Sequence, residues 1–188
     1  SLLFAVWSGG ANETWAVGSA GKVLRWNSSP WTSVSSGSTN QVSAIWGSGP
    51  NDVWVVGASG LCLHWAGSAW SSLPTGNVVH FWGVWGSGPN DVWTVGESGV
   101  IFRWNGAAWT MVGAPFADFT AVWGSSANDV WGVSMNGVII RWNGSAWNSV
   151  PSGTTAFLTS VWGSGPTDVW AVGSNGTVRH WNGSAWAA

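Results

Sequence analysis

Apolar residues along the chain form short runs in which a large side chain alternates with a small or polar one, and Gly, Pro or Asn closes each run. That is the two-residue period of half-buried strands and not the longer period of a helix. The runs come in a fixed order. The first, as in Phe119-Thr-Ala-Val-Trp123, begins on a large residue (Leu3, Val42, Phe81, Phe119 or Leu158) and has a small one two places before its Trp. A loop of the Gly-Ser-Gly-Pro-Asn type follows, then a second run such as Val53-Trp-Val-Val-Gly57. A short Gly-containing turn leads to a third, as in Val100-Ile-Phe-Arg-Trp104. Asn-Gly then recurs at 105–106, 143–144 and 182–183, a dipeptide that tolerates the positive φ of a tight hairpin. A fourth run starts at Ala-Trp, and a polar linker reaches the next copy.

Tryptophan makes the repeat explicit. The first Trp of each copy is at 7, 46, 85, 123 and 162, the second at 15, 54, 93, 131 and 170, the third at 26, 65, 104, 142 and 181, and the fourth at 31, 70, 109, 147 and 186. Twenty of the 21 tryptophans belong to this frame, so only Trp82 needs a separate explanation. The period is 39 residues, with one copy of 38, which divides the chain into repeats 1–40, 41–79, 80–117, 118–156 and 157–188. Four antiparallel strands cannot bury both faces of their own sheet, but sheets packed side by side in a ring can. The expected fold is all-β: a five-bladed β-propeller with four antiparallel strands per blade, forming a single domain over residues 1–188. A ring closed by these five blades is expected, and with it a monomer rather than an oligomer. Most tryptophans are then packing between blades.

The motif Ala-Val-Gly-x-x-Gly-x-x-x-Arg-Trp-Asn-Gly-x-x-Trp resembles the blades of Asp-box (BNR-type) and photosystem-assembly-factor-like propellers, along essentially the whole chain. The Trp richness also looks like small five-bladed propeller lectins of the tachylectin kind. The resemblance implies a propeller fold and, through the lectins, sugar binding. The Asp box's Ser-x-Asp is replaced here by Arg-Trp-Asn, and the Trp-Asp and Gly-His of WD40 blades are missing.

Composition narrows the partners. Only 6% of the residues are charged and the net charge is −2, with five Lys and Arg scattered along the chain. Nucleic acid is excluded as a partner, because phosphate binding needs a clustered positive surface. The longest apolar runs are too short for a membrane-spanning helix, so no membrane insertion is expected. A surface kept soluble by Ser, Thr, Asn and Gly points to an extracellular or cell-surface location. Cys62 is the lone cysteine, in the apolar run Leu61-Cys62-Leu63, and reads as a buried inert thiol.

Two sets of polar residues recur in the frame. An acid stands two places before the second Trp (Glu13, Asp52, Asp91, Asp129, Asp168), and a base just before the third (Arg25, His64, Arg103, Arg141, His180). The first reading is a cross-strand pair within each blade. The second points the Arg or His at a ligand between blades, where a guanidinium can grip hydroxyls or carboxylates. The fourth tryptophans, Trp31, Trp70, Trp109, Trp147 and Trp186, stand on the outer strand beside the turn residues Asn105, Asn143 and Asn182. An exposed ring with a neighbouring amide or guanidinium suits a pyranose. Multivalent glycan binding at these hairpins is therefore the leading expectation, with repeats 1 and 2 weaker because they lack the Gly or the Asn (Asn27-Ser28, Ala66-Gly67). The alternative is a structural or protein-interaction scaffold, as part of a longer propeller array. That reading looks to the residues that break the repeat: His80, Trp82 and Arg179. Catalysis is not expected, since Glu97 and Asp118 are the only carboxylates outside the frame and nothing in the sequence joins them. No cofactor and no metal site is expected.

Overall fold

Each repeat folds into one sheet of four antiparallel strands in the computed structural model, which describes every residue except Ser29 and Ala114. Blade 1 holds β1 (Leu3–Gly10), β2 (Glu13–Gly18), β3 (Val23–Trp26) and β4 (Thr32–Ser33). Blade 2 holds β5 (Val42–Gly49), β6 (Asp52–Gly57), β7 (Cys62–Trp65) and β8 (Trp70–Ser72). Blade 3 holds β9 (Phe81–Gly88), β10 (Asp91–Gly96), β11 (Ile101–Trp104) and β12 (Trp109–Met111). Blade 4 holds β13 (Phe119–Ser126), β14 (Asp129–Ser134), β15 (Ile139–Trp142) and β16 (Trp147–Val150). Blade 5 holds β17 (Leu158–Gly165), β18 (Asp168–Gly173), β19 (Val178–Trp181) and β20 (Trp186–Ala187). In every blade the strands pair in chain order, so each is a simple meander.

The register follows the Trp frame. The first and second tryptophans face each other across the inner pair, as Trp46↔Trp54 and Trp123↔Trp131 do. Each inner strand slips register near both of its ends, which increases twist and turns the first residues away from strict alternation. Between second and third strands, two consecutive positive φ values at Ala20-Gly21, Ser59-Gly60, Ser98-Gly99 and Asn175-Gly176 give the turn that matches strand twist. The Asn-Gly hairpin differs from the tight turn expected. The third and fourth tryptophans pair directly, as Trp104↔Trp109 and Trp142↔Trp147, so four residues span each loop. Asn supplies a side-chain acceptor there and leaves the left-handed backbone to Gly: Asn105 Oδ1 accepts from the N–H groups of Ala107 and Ala108, and Gly106 sits at φ +94°.

Blades pack through one joint repeated four times. The second Trp of a blade is fully buried between the third and fourth of the next: Trp15 by Trp65 and Trp70, Trp54 by Trp104 and Trp109, Trp93 by Trp142 and Trp147, Trp131 by Trp181 and Trp186. Ring centroids lie 5.0–5.4 Å apart, in tilted or edge-on geometry. The first Trp lies on the glycine after the first Trp of the next blade. A Cβ added at Gly47, Gly86, Gly124 or Gly163 would come within 2.6–2.8 Å of a ring carbon of Trp7, Trp46, Trp85 or Trp123. Glycine is required there by close approach, not by backbone angle.

Inner strands pack in succession, β1 on β5, β5 on β9, β9 on β13 and β13 on β17, while no comparable packing joins β17 to β1. The five blades thus form an arc. The expectation of a ring closed by these five alone is not met, because both end faces lie open. At the fifth blade Trp170, Val172 and Val178 are 41–45% exposed, where their equivalents Trp131, Val133 and Ile139 are 0–1%. At the first, Leu3 and Val6 are 50% and 68% exposed, against 0% and 6% for Leu158 and Val161.

Candidate functional site

The recurring acids and bases meet within each blade. Arg25 grips both oxygens of Glu13 through Nε and Nη2 at 2.9 and 2.8 Å. Arg103 Nε donates to Asp91 and Arg141 Nε to Asp129, each at 2.6 Å. His64 bonds Asp52 at 2.7 Å and His180 bonds Asp168 at 2.8 Å. Ser48, Ser87, Ser125 and Ser164 donate to the same acids, and the indoles of Trp15, Trp54 and Trp170 reach them too. Each of these carboxylates accepts from more than one donor at once. Burial pushes the Asp52 carboxyl up, but the bonds from His64, Ser48 and Trp54 and the His64 charge outweigh it and hold it below its ordinary value. The bonds from Ser164, His180 and Trp170 do the same for Asp168.

The bases also face the joints. Each guanidinium lies over its own second Trp and the third Trp of the next blade: Arg25 over Trp15 and Trp65, Arg103 over Trp93 and Trp142, Arg141 over Trp131 and Trp181. The distances are 4.8–5.8 Å. His64 and His180 stack on Trp54 and Trp170 instead. Of the fourth tryptophans, expected as exposed rings, Trp70, Trp109, Trp147 and Trp186 turn inward onto the second Trp of the preceding blade. Trp147 and Trp186 are buried, Trp70 and Trp109 half-buried, and Trp31 stands 48% exposed on the open face of the first blade. Asn105, Asn143 and Asn182 stay on the surface with their side-chain oxygens bonded to the loop backbone. The hairpin residues are thus brought together, but their polar groups largely serve the blade.

A different set converges on the axis. The residue three before the first Trp (Phe4, Ser43, Trp82, Thr120 or Thr159) lines one cavity with Gln41, Met135 and Phe157, about 480 Å³ and open to solvent. It sits at the end of the axis where the inner strands begin and the turns between second and third strands lie. Three of the five blades place Ser or Thr at that register, and blade 3 places the off-frame Trp82. Its indole stacks flat on His80, centroids 3.7 Å apart and planes within 8°. His80 Nε2 shares a 2.6 Å hydrogen bond with Ser43 Oγ of the neighbouring blade, and Ser43 Oγ accepts from Gln41 Nε2. Burial lowers the His80 pKa from its ordinary value, and the Glu97 charge offsets part of that. Phe4 and Phe157 in this lining are exposed, 46% and 41%, and Val78 and Phe116 are exposed beside the turn glycines Gly60 and Gly99.

The two carboxylates outside the frame act as backbone acceptors on this same face: Glu97 for the His80 N–H and Asp118 for the Ser98 N–H. Arg179 reaches the Gly153 carbonyl and ties down a linker. Among the described residues no three His, Cys, Asp or Glu side chains group as a metal site would need, and no helix is long and apolar enough to cross a membrane. Sequence reading singled out His80 and Trp82 as breaks in the repeat. Phe4, Gln41, Ser43, Thr120, Met135, Phe157 and Thr159 escaped it, although four of these hold the register of Trp82.

No family model matches the sequence, and no curated protein matches it either. Solved structures do. YCF48 bound to a D1 peptide superposes with a TM-score of 0.76 at 18% identity, over 99% of this chain and 67% of that one. The computationally designed protein Ika8 gives 0.80 at 19% identity, over 97% and 58%. The WD40 repeats of RRP9 give 0.82 at 12% identity, over 97% and 60%. The chain therefore has the propeller fold and spans 58–67% of the length of these relatives in shape.

Proposed function

We propose that the protein is a non-catalytic binding propeller whose axial mouth takes an extended segment of a protein partner, anchored by an apolar or aromatic side chain. The observation that carries this is the convergence of one register from all five blades, with the off-frame Trp82 among it, on a single open cavity. Trp82, backed by the stacked His80 ring, lines one open cavity with Phe4, Phe157 and Met135, and Gln41, Ser43 and Thr120 serve as polar guides. An apolar cleft with a few directed polar groups is suited to a side chain entering from a peptide backbone. The framed arginines are paired with acids, so an anionic ligand has little to hold it there. That YCF48 was solved with a D1 peptide adds a peptide-bound propeller of similar shape.

Multivalent glycan binding at the β3–β4 type hairpins has less support. Its tryptophans are mostly committed to the joints and its arginines to acids, with Trp31 the clearest exposed ring. A glycan array without a binder at high protein density sinks that reading. For the mouth, peptides selected from a random library on the 188-residue chain should lose at least tenfold in affinity on Trp82→Ala. Binders indifferent to Trp82→Ala, with the variant folded, would overturn the proposal.

A further inference from the structure

The two open ends of the arc are different halves of the same joint. The fifth blade presents the half that gives: Trp162 (61% exposed), Trp170, Val172 and Val178. The first presents the half that receives: Leu3, Val6 and the ring of Trp31, with Trp26 partly exposed beside it. Four joints inside the chain show what covers such faces, namely the next blade. The receiving half departs from the other four directly under the incoming Trp, and its third and fourth tryptophans are not paired across the hairpin as Trp65 and Trp70 are. Where blades 2 to 5 have glycine, blade 1 has Ser8, held in the same register opposite Thr14 as Gly124 is opposite Val130. At the four glycines a Cβ would meet the incoming Trp ring at 2.6–2.8 Å, well inside contact distance, and also the carbonyl of the blade's own acid.

We propose that each end face takes a further blade of this Trp frame, and that the blade meeting Ser8 carries a residue smaller than Trp at the place of Trp162. A second copy of this chain is thereby rejected at the first blade, since it would bring Trp162 onto Ser8. The four internal joints define the partner's remaining chemistry. The blade beyond the fifth needs a glycine under Trp162 and a Trp pair around Trp170. The blade before the first needs a Trp that enters between Trp26 and Trp31.

Hydroxyl-radical footprinting read by mass spectrometry tests both ends on extended chains. With residues 73–111 repeated after Ala188, the added copy of blade 3 should protect Trp162 and Trp170 and leave Trp31 reactive. With residues 118–155 repeated before Ser1, the added copy of blade 4 should protect Trp31 poorly. Protection should improve severalfold when the copied Trp123 is changed to Ala, or when Ser8→Gly is introduced instead. Either rescue guards against one variant failing to fold. Equal protection with and without these changes would overturn the role of Ser8. A discrete dimer of the 188-residue chain with Trp162, Trp170 and Trp31 all protected would overturn the proposal, because a second copy would then be the occupant.

Discussion

At the scale of single residues, the framed acid in each blade is a hub and not a ligand contact. Asp129 accepts from Arg141 and Ser125 while its own side chain is nearly buried. Asp129→Ala leaves that guanidinium without its partner, and chemical denaturation should show a loss of about 2 kcal/mol. Asp52 and Asp168 have carboxyls held below their ordinary value of 3.8, so their contribution is complete above that pH and lost as pH falls through their lower folded values. His80 works with the same sign for another reason. Burial keeps its imidazole neutral below the ordinary 6.5, so the unfolded chain takes up the proton first and stability falls as pH drops from 6.5. An NMR titration should place the His80 midpoint below 6.5, and a midpoint above it would mean that Glu97 dominates over burial. The Cys62 thiol, raised by burial beneath the third blade, should remain unreactive to a disulfide reagent at pH 8 until the chain unfolds.

At the scale of elements, the same residue has different weight at a joint and at an end. Trp131 is fully buried between Trp181 and Trp186, whereas Trp170, at the same register one blade later, is stacked on His180 of its own blade and stays 41% exposed. Trp131→Ala should cost about 3–5 kcal/mol, the range for a large buried aromatic. Trp170→Ala in the same 188-residue chain should cost a small fraction of that by thermal or chemical unfolding, and equal losses would contradict the open fifth face. The turns between second and third strands offer a gain. Ala20 sits at φ +54° where blade 5 uses Asn175, so Ala20→Asn should stabilise the first hairpin, by about 1 kcal/mol. The strands, their order and the acid–base pairs were legible in the sequence, because period-two alternation and a fixed spacing determine them. The axial register was not. Register slips at the start of each inner strand turn the residue three before the first Trp to the axis, and simple alternation cannot place a residue beyond a bulge.

At the scale of the molecule, five repeats gave five blades but not a ring closed by them. Closure depends on the rotation from one blade to the next, which the Trp-on-Gly and Trp-triad contacts fix and the repeat count does not. The frame explains nearly every tryptophan as packing, so the binding role proposed above is assigned to positions that depart from it, above all Trp82, stacked on His80 at the axial mouth. The most direct measurement is a hydroxyl-radical footprint of the 188-residue chain with and without a binder drawn from a peptide or glycan library. Protection concentrated at Phe4, Trp82, Met135 and Phe157 is the predicted result. Protection shared among the five Trp hairpins, with the mouth unchanged, would contradict it.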